Sequence, residues 1–123
     1  MGKFAKIKKQ LEKSSDLTGN DDESLINAHD YRIRLEAIDD IDNEVILKGI
    51  VLNDSNLKVR LKALSKVSND DFLIDIAKNS PNKYLRIQAV EMISNSDDLR
   101  YISVNDSNRD VRNAALARIT QVL

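Results

Sequence analysis

The sequence predicts an all-α fold, a right-handed α–α superhelix (solenoid) of two-helix units stacked one on the next. Three observations predict it. Arg34, Arg60, Arg86 and Arg112 recur every 26 positions. Apolar columns keep the same step: Ile33, Val59, Leu85 and Val111 precede the arginines, and Ala37, Ala63, Ala89 and Ala115 follow them. Ile38, Leu64, Val90 and Leu116 form a third column, and Ile41, Val67, Ile93 and Ile119 a fourth. Clusters of Asn, Asp and Ser fall between these columns at the same interval. A fixed step of about 20 to 50 residues marks a repeat architecture, in which each unit buries its apolar face against its neighbours.

Taken in chain order, residues 3 to 14 read as an amphipathic helix with Phe4, Ile7 and Leu11 on one side. Asp21, Asp22 and Glu23 open a short helix holding Leu25 and Ile26. Residues 1–28 are therefore read as an N-terminal cap. Repeats follow over 29–54, 55–80 and 81–106, with a half repeat over 107–123, all in one domain. The unit 55–80 shows the plan. Val59, Ala63, Leu64 and Val67 sit at helical spacing and give helix A an apolar face. Ser68 to Asp71 break it, and Asp70 or Asp71 is expected to cap helix B. Leu73, Ile76 and Ala77 face inward from helix B, matching Leu47, Ile50 and Val51 before them and Leu99, Ile102 and Ser103 after. Helix B is expected to have about two turns and to depend on packing. Asn53, Asn79 and Asn105 end it, and Asn56, Asn82 and Asn108 mark the turn into the next helix A. Pro81, the only proline, stands at a repeat junction. In the last unit Asn113 replaces the apolar column of Leu35, Leu61 and Ile87, which suits a small complete solenoid.

Composition narrows the function classes. The 123 residues are 41% hydrophobic and only 4% aromatic, with no cysteine. Disulfide and thiolate chemistry are thereby excluded. No signal peptide and no membrane-length apolar run is visible, so a cytoplasmic protein is expected. Lys and Arg number 19 against 20 Asp and Glu, which argues against a dedicated nucleic-acid binder. The charge is uneven, however. Lys3, Lys6, Lys8, Lys9 and Lys13 give residues 1–13 a charge of +4.

Asp54-Ser55-Asn56-Leu57-Lys58-Val59-Arg60-Leu61-Lys62-Ala63-Leu64 resembles the short HEAT-like repeats of the phycobilin-lyase type. Asp106-Ser107-Asn108-Arg109-Asp110-Val111-Arg112-Asn113-Ala114-Ala115-Leu116 does so too. The shared pattern is Asp, four residues, Val-Arg, two residues, then Ala. The short period is also similar to the leucine-rich-repeat variant. The resemblance spans residues 29–123 and implies a compact solenoid; it does not imply a particular role, since such repeats serve many. Ser80 stands where the pattern has Asp before Arg86, and Ala28 where it has Asp before Arg34. The pattern thus offers Arg86 no carboxylate and leaves Asp30 for Arg34.

The arginine column is read as a structural ladder. Each of Arg34, Arg60, Arg86 and Arg112 would bond the Asp (Asp54, Asp106) or turn carbonyls of its own and adjacent repeats, fixing the stacking angle, for which a planar five-donor fork is suited. The basic first helix is read as a cap, with binding to an anionic membrane or nucleic acid as its functional alternative. Asp39, Asp40, Asp42 and Glu44 loosely follow a calcium loop but lack its central glycine and late glutamate, so helix capping is expected of them. His29 is the only histidine and falls in a turn, which leaves no imidazole pair for a metal. One enzymatic branch of HEAT-like proteins holds iron with His-Glu pairs, and none occurs here. Asn53-Asp54-Ser55 and Asn105-Asp106-Ser107 match glycosylation acceptors but are explained by turn chemistry.

The outward face of the B helices remains. Lys48, Ile74 and Arg100 form one column and Asp75 and Tyr101 belong to the next, with Lys78 a turn on and Phe72 extending the patch. Apolar and aromatic groups among charges suit an interface. The expectation is a non-enzymatic protein-interaction or scaffold module that binds a protein partner through a concave groove. No catalytic, metal or cofactor constellation is seen. The alternatives are a nucleic-acid or membrane-surface adaptor using the basic helix, or an accessory subunit of a chromophore lyase.

Overall fold

The computed structural model describes residues 28–123. Among these residues there are seven α-helices, one 3-10 helix and no strand. They are α1 (Tyr31–Ala37), η1 (Ile38–Asp40), α2 (Glu44–Asn53), α3 (Leu57–Lys66), α4 (Asp70–Asn79), α5 (Lys83–Met92), α6 (Ser96–Asn105) and α7 (Arg109–Val122). The expected N-terminal cap, with its lysines and with Phe4, Ile7 and Leu11, lies outside the described residues. The short helix at Leu25 and Ile26 does too.

Each helix start is set by one polar side chain. Asn43, Asn69, Asn82, Asn95 and Asn108 sit at the N-cap in extended backbone conformation, and each side-chain oxygen accepts from the first free amides of its helix. Asn56 does the same for Lys58 and Val59, and Asp30 for Arg32. Capping of this kind satisfies amides that have no partner within the helix. Asp70 and Asp71 are therefore not the cap of α4. They occupy its first turn and offer charge to the positive end of the helix dipole, while Asn69 caps. Likewise Asn43, and none of the acids around it, caps α2.

The chain forms two compact units, one ending at Lys66 and one running from Val67 to Leu123. In the first, α2 packs along α3, and α3 also touches α1 and η1. Ala37, Ile38, Ile41, Leu47, Val51, Val59, Ala63 and Leu64 are buried there. In the second, α4 packs on α5 and α6 on α7, while α5 meets α7 and α4 meets α6. Its core holds Leu73, Ile76, Ala77, Leu85, Ala89, Val90, Ile93, Leu99, Ile102, Val111 and Ala115. Each large aliphatic side chain removed from water contributes on the order of 2 kcal/mol. Ala37, Ala63, Ala89 and Ala115 are fully buried, and in interiors packed this closely a larger side chain has no place to go.

Boundaries recur along the chain. α2, α4 and α6 start at Glu44, Asp70 and Ser96 and end at Asn53, Asn79 and Asn105. Each has ten residues, nearly three turns rather than two. The first A helix departs from the others. After Ala37 the backbone tightens into η1, so α1 has only seven residues. The column of Ile38, Leu64 and Val90 is buried, but its fourth member Leu116 is 53% exposed. No described helix packs over that side of α7. Ser103 is only half-buried, where Val51 and Ala77 are fully enclosed.

Candidate partner-binding site

The arginine column does form bonds between turns, but in a different register from the one the repeat pattern implies. Arg34 donates from Nε and Nη2 to the Asp54 carboxylate at 2.9 and 3.1 Å. Its Nη1 donates to the Ala28 and His29 carbonyls. Arg86 grips Asp106 in the same way at 3.0 and 3.3 Å, with Nη1 on the Ser80 carbonyl. The carboxylate thus lies 20 residues after its arginine, at the end of the next B helix. Asp30 is not the partner of Arg34; it caps α1 and pairs with Arg32. Arg86, for which the pattern offered no carboxylate, has one. Arg60 instead donates from Nε to the Val51 carbonyl, and Arg112 from Nη1 to the Asp106 carbonyl. The residue 20 positions after Arg60 is Ser80, which carries no charge.

Asp54 and Asp106 carry a second duty. One oxygen of each accepts from the amide two residues on, at Asn56 and Asn108. The carboxylate therefore shapes the turn that presents the next N-cap. Both ion pairs are largely enclosed, with side chains 12% and 7% exposed for Arg34 and Asp54, and 12% and 6% for Arg86 and Asp106. Two-point geometry with every oxygen engaged is the arrangement in which an enclosed pair is tolerated.

A second set of cations was not singled out in the sequence. Lys66 donates to the carbonyls of Ile38, Asp39 and Ile41 and lies 3.6 Å from Asp42. Lys62 donates to the Leu35 carbonyl and pairs with Asp39 at 2.9 Å. These lysines neutralise the negative end of α1 and η1. Arg118 does the equivalent for α5, bonding the Ile93 carbonyl. The signal was available: Lys66 and Arg118 are two repeat lengths apart, as are Ile41 and Ile93.

The proposed interface residues divide. Lys48 is half-buried on α2 in the first unit. The others lie in the second unit, where Lys78 and Tyr101 come together. Lys78 Nζ hydrogen-bonds Asp98 and sits 5.1 Å from the centroid of the Tyr101 ring. That distance permits a cation–π attraction, and the ring remains 56% exposed. Both residues line a depression of about 370 Å³ with Asn79, Asn105, Asp106 and Ser107. Ile74 instead lines a separate depression of about 340 Å³ with Asp70, Asp71, Ile93, Ser94 and Asn95. Asp75 accepts from the Asn79 carboxamide. Arg100 is exposed and reaches Asp97. Phe72 is half-buried, its amide held by Asn69.

Among the described residues no group of three or more His, Cys, Asp or Glu side chains is placed to hold a metal ion. No described helix is long and apolar enough to cross a membrane. The Tyr101 ring is thus exposed on one side and held on the other by a lysine already paired with Asp98. No known protein family, curated protein or solved structure matches the chain.

Proposed function

We propose that the chain is a non-enzymatic protein-interaction or scaffold module of the cytoplasm, built as a right-handed superhelix of HEAT-like repeats. In this reading 29–54, 55–80 and 81–106 are two-helix repeats, 1–28 is a cap and 107–123 a half repeat. The 26-residue interval shared by the arginines, the alanines and the helix boundaries supports it. Partner binding falls to the B-helix face, and the observation that carries it is the exposed Tyr101 ring held over Lys78 beside an open depression. Tyrosines with an apolar body and polar tip, rigidly held, are typical anchors of interfaces. A prearranged surface loses little ordering entropy on association.

The test is affinity capture from native lysate with two baits, the parent and a variant carrying Lys48→Ala, Ile74→Ala, Arg100→Ala and Tyr101→Ala. A protein retained by the parent alone supports the reading. Equal retention by both baits moves the contact away from this face. Retention of nucleic acid, released by salt as phosphate contacts are, would favour an adaptor working through the lysines of residues 3–13.

A further inference from the structure

One side of α7 leaves open a charge and an apolar group that their counterparts keep covered. Arg112 and Leu116 follow Arg86 and Val90 by one repeat interval. On α5, Arg86 holds Asp106 through Nε and Nη2, Val90 is fully buried, and α7 packs alongside. In the first unit, Arg34 holds Asp54 in the same way and Ile38 is fully buried. On α7, Arg112 bonds through Nη1 to the Asp106 carbonyl, and no described residue takes its Nε–H or Nη2. Leu116 is 53% exposed. Arg109, Asn113, Thr120 and Leu123 continue this stripe at helical spacing, and all four are exposed. The stripe holds no carboxylate, because the one acid of α7, Asp110, lies beside Lys83 at 3.9 Å.

The covered pairs define what the open one takes: a carboxylate for the free edge of the guanidinium, on a segment whose aliphatic side chains cover the leucine. A second α7 does not supply this, since its own stripe is cationic and apolar. Residues 3–13 do not either, because their five lysines repel Arg109 and Arg112. Residues 16–26, outside the described part of the chain, have the matching chemistry. They hold Asp16, Asp21, Asp22 and Glu23, no cation, and the aliphatic Leu17, Leu25 and Ile26. The main helix contacts of the fold join elements no more than two helices apart in the chain. Six helices separate residues 16–26 from α7, so the segment that serves α7 comes from another molecule. We propose that the open side of α7 binds the acidic segment 16–26 of a second copy of this chain, with a carboxylate of residues 21–23 on Arg112 and Leu25 or Ile26 against Leu116. The contact is head to tail: each copy offers one segment and one surface, and association extends beyond a pair unless the copies close into a ring. It uses residues other than the Tyr101 face and does not rest on the partner-binding reading.

Sedimentation velocity over a concentration series tests this with the full chain. The parent should associate reversibly, and added salt should weaken the association. Leu116→Asp keeps the segment and spoils the surface. The triple variant Asp21→Lys, Asp22→Lys, Glu23→Lys keeps the surface and spoils the segment. Each alone should sediment as a monomer, and an equimolar mixture of the two should form a dimer that grows no further. Arg112→Gln should weaken self-association on the order of tenfold, as expected for a lost charged hydrogen bond. Circular dichroism melts of the variants check that they remain folded. A parent that stays monomeric up to about 1 mM, the weak end of specific association, overturns the inference. So does a triple variant that associates as the parent does, or a mixture of folded variants that forms no dimer. None of these results bears on the Tyr101 face.

Discussion

At the scale of single residues, the enclosed arginine–aspartate pairs carry the sharpest prediction. Asp106→Ala strands the Arg86 guanidinium in a largely dry site and removes the hydrogen bond to the Asn108 amide. The expected cost is about 3 kcal/mol in urea unfolding, typical of an enclosed pair broken on one side. Asp42→Ala, which touches Lys66 from an almost fully exposed position, should change stability by less than about 0.5 kcal/mol. The pairing register was not legible in the sequence. Asp54 lies six residues before Arg60 and 20 after Arg34, and Asp106 six before Arg112 and 20 after Arg86; a one-dimensional pattern favours the nearer arginine. The longer step prevails because the end of a B helix returns beside the arginine of the helix before it. Asp30 makes a smaller, pH-dependent contribution. The Arg32 side chain and amide bond its carboxylate and hold its pKa below the ordinary value. Stability from this contact is fully present above the unfolded pKa, about 3.9, and is lost as pH falls through the lower folded value. A carboxyl titration followed by NMR should find Asp30 ionising below the usual range, and Arg32→Ala should raise it only part of the way back, because the residue-32 amide still donates to the carboxylate.

At the scale of helices, the asparagine caps and one glycine matter most. Asn69→Ala should destabilise the protein by about 1 kcal/mol in thermal or urea unfolding, and Asp70→Ala by less, because Asn69 makes the capping bond to Phe72. The reverse order would restore the expectation that Asp70 or Asp71 caps α4. Helix positions were readable because the apolar faces of Val59, Ala63 and Leu64, or Leu85, Ala89 and Val90, repeat at helical spacing. Starts were read a residue or two late, since Asn and Asp both cap and only the backbone conformation at Asn69 distinguishes them. Gly49 lies inside α2, and a methyl group placed there meets nothing within 4 Å. Gly49→Ala should therefore stabilise the protein by roughly 0.5–1 kcal/mol, by the difference in helix propensity, measured as a shift in the urea midpoint.

At the scale of the whole molecule, the alanine column sets how closely helices approach. Ala89 is fully buried, and Ala89→Glu would place a carboxylate in the core of the second unit. The expected result is loss of the cooperative melt, read by circular dichroism at 222 nm, a wavelength at which helix absorbs; a variant that melts like the parent would show that this column is not packed. The candidate site was only partly legible at this scale. Lys78 and Tyr101 meet because α4 and α6 lie side by side, whereas Ile74, one turn earlier on the same helix, opens onto a different depression. Nothing in the composition of the column distinguishes those outcomes. The lysines and arginines that reach across turns have one more consequence. Arg34 to Asp54, Lys78 to Asp98 and Arg86 to Asp106 span 20 positions, Arg118 to Ile93 spans 25, and Lys66 to Ile38 spans 28. The entropy of closing a loop varies only with the logarithm of its length, so the shortest and longest of these differ by about 0.3 kcal/mol. None of these closures is appreciably harder than another, so within each unit refolding begins from whichever of these helix pairs collides first, without a late step that waits for distant ends to meet.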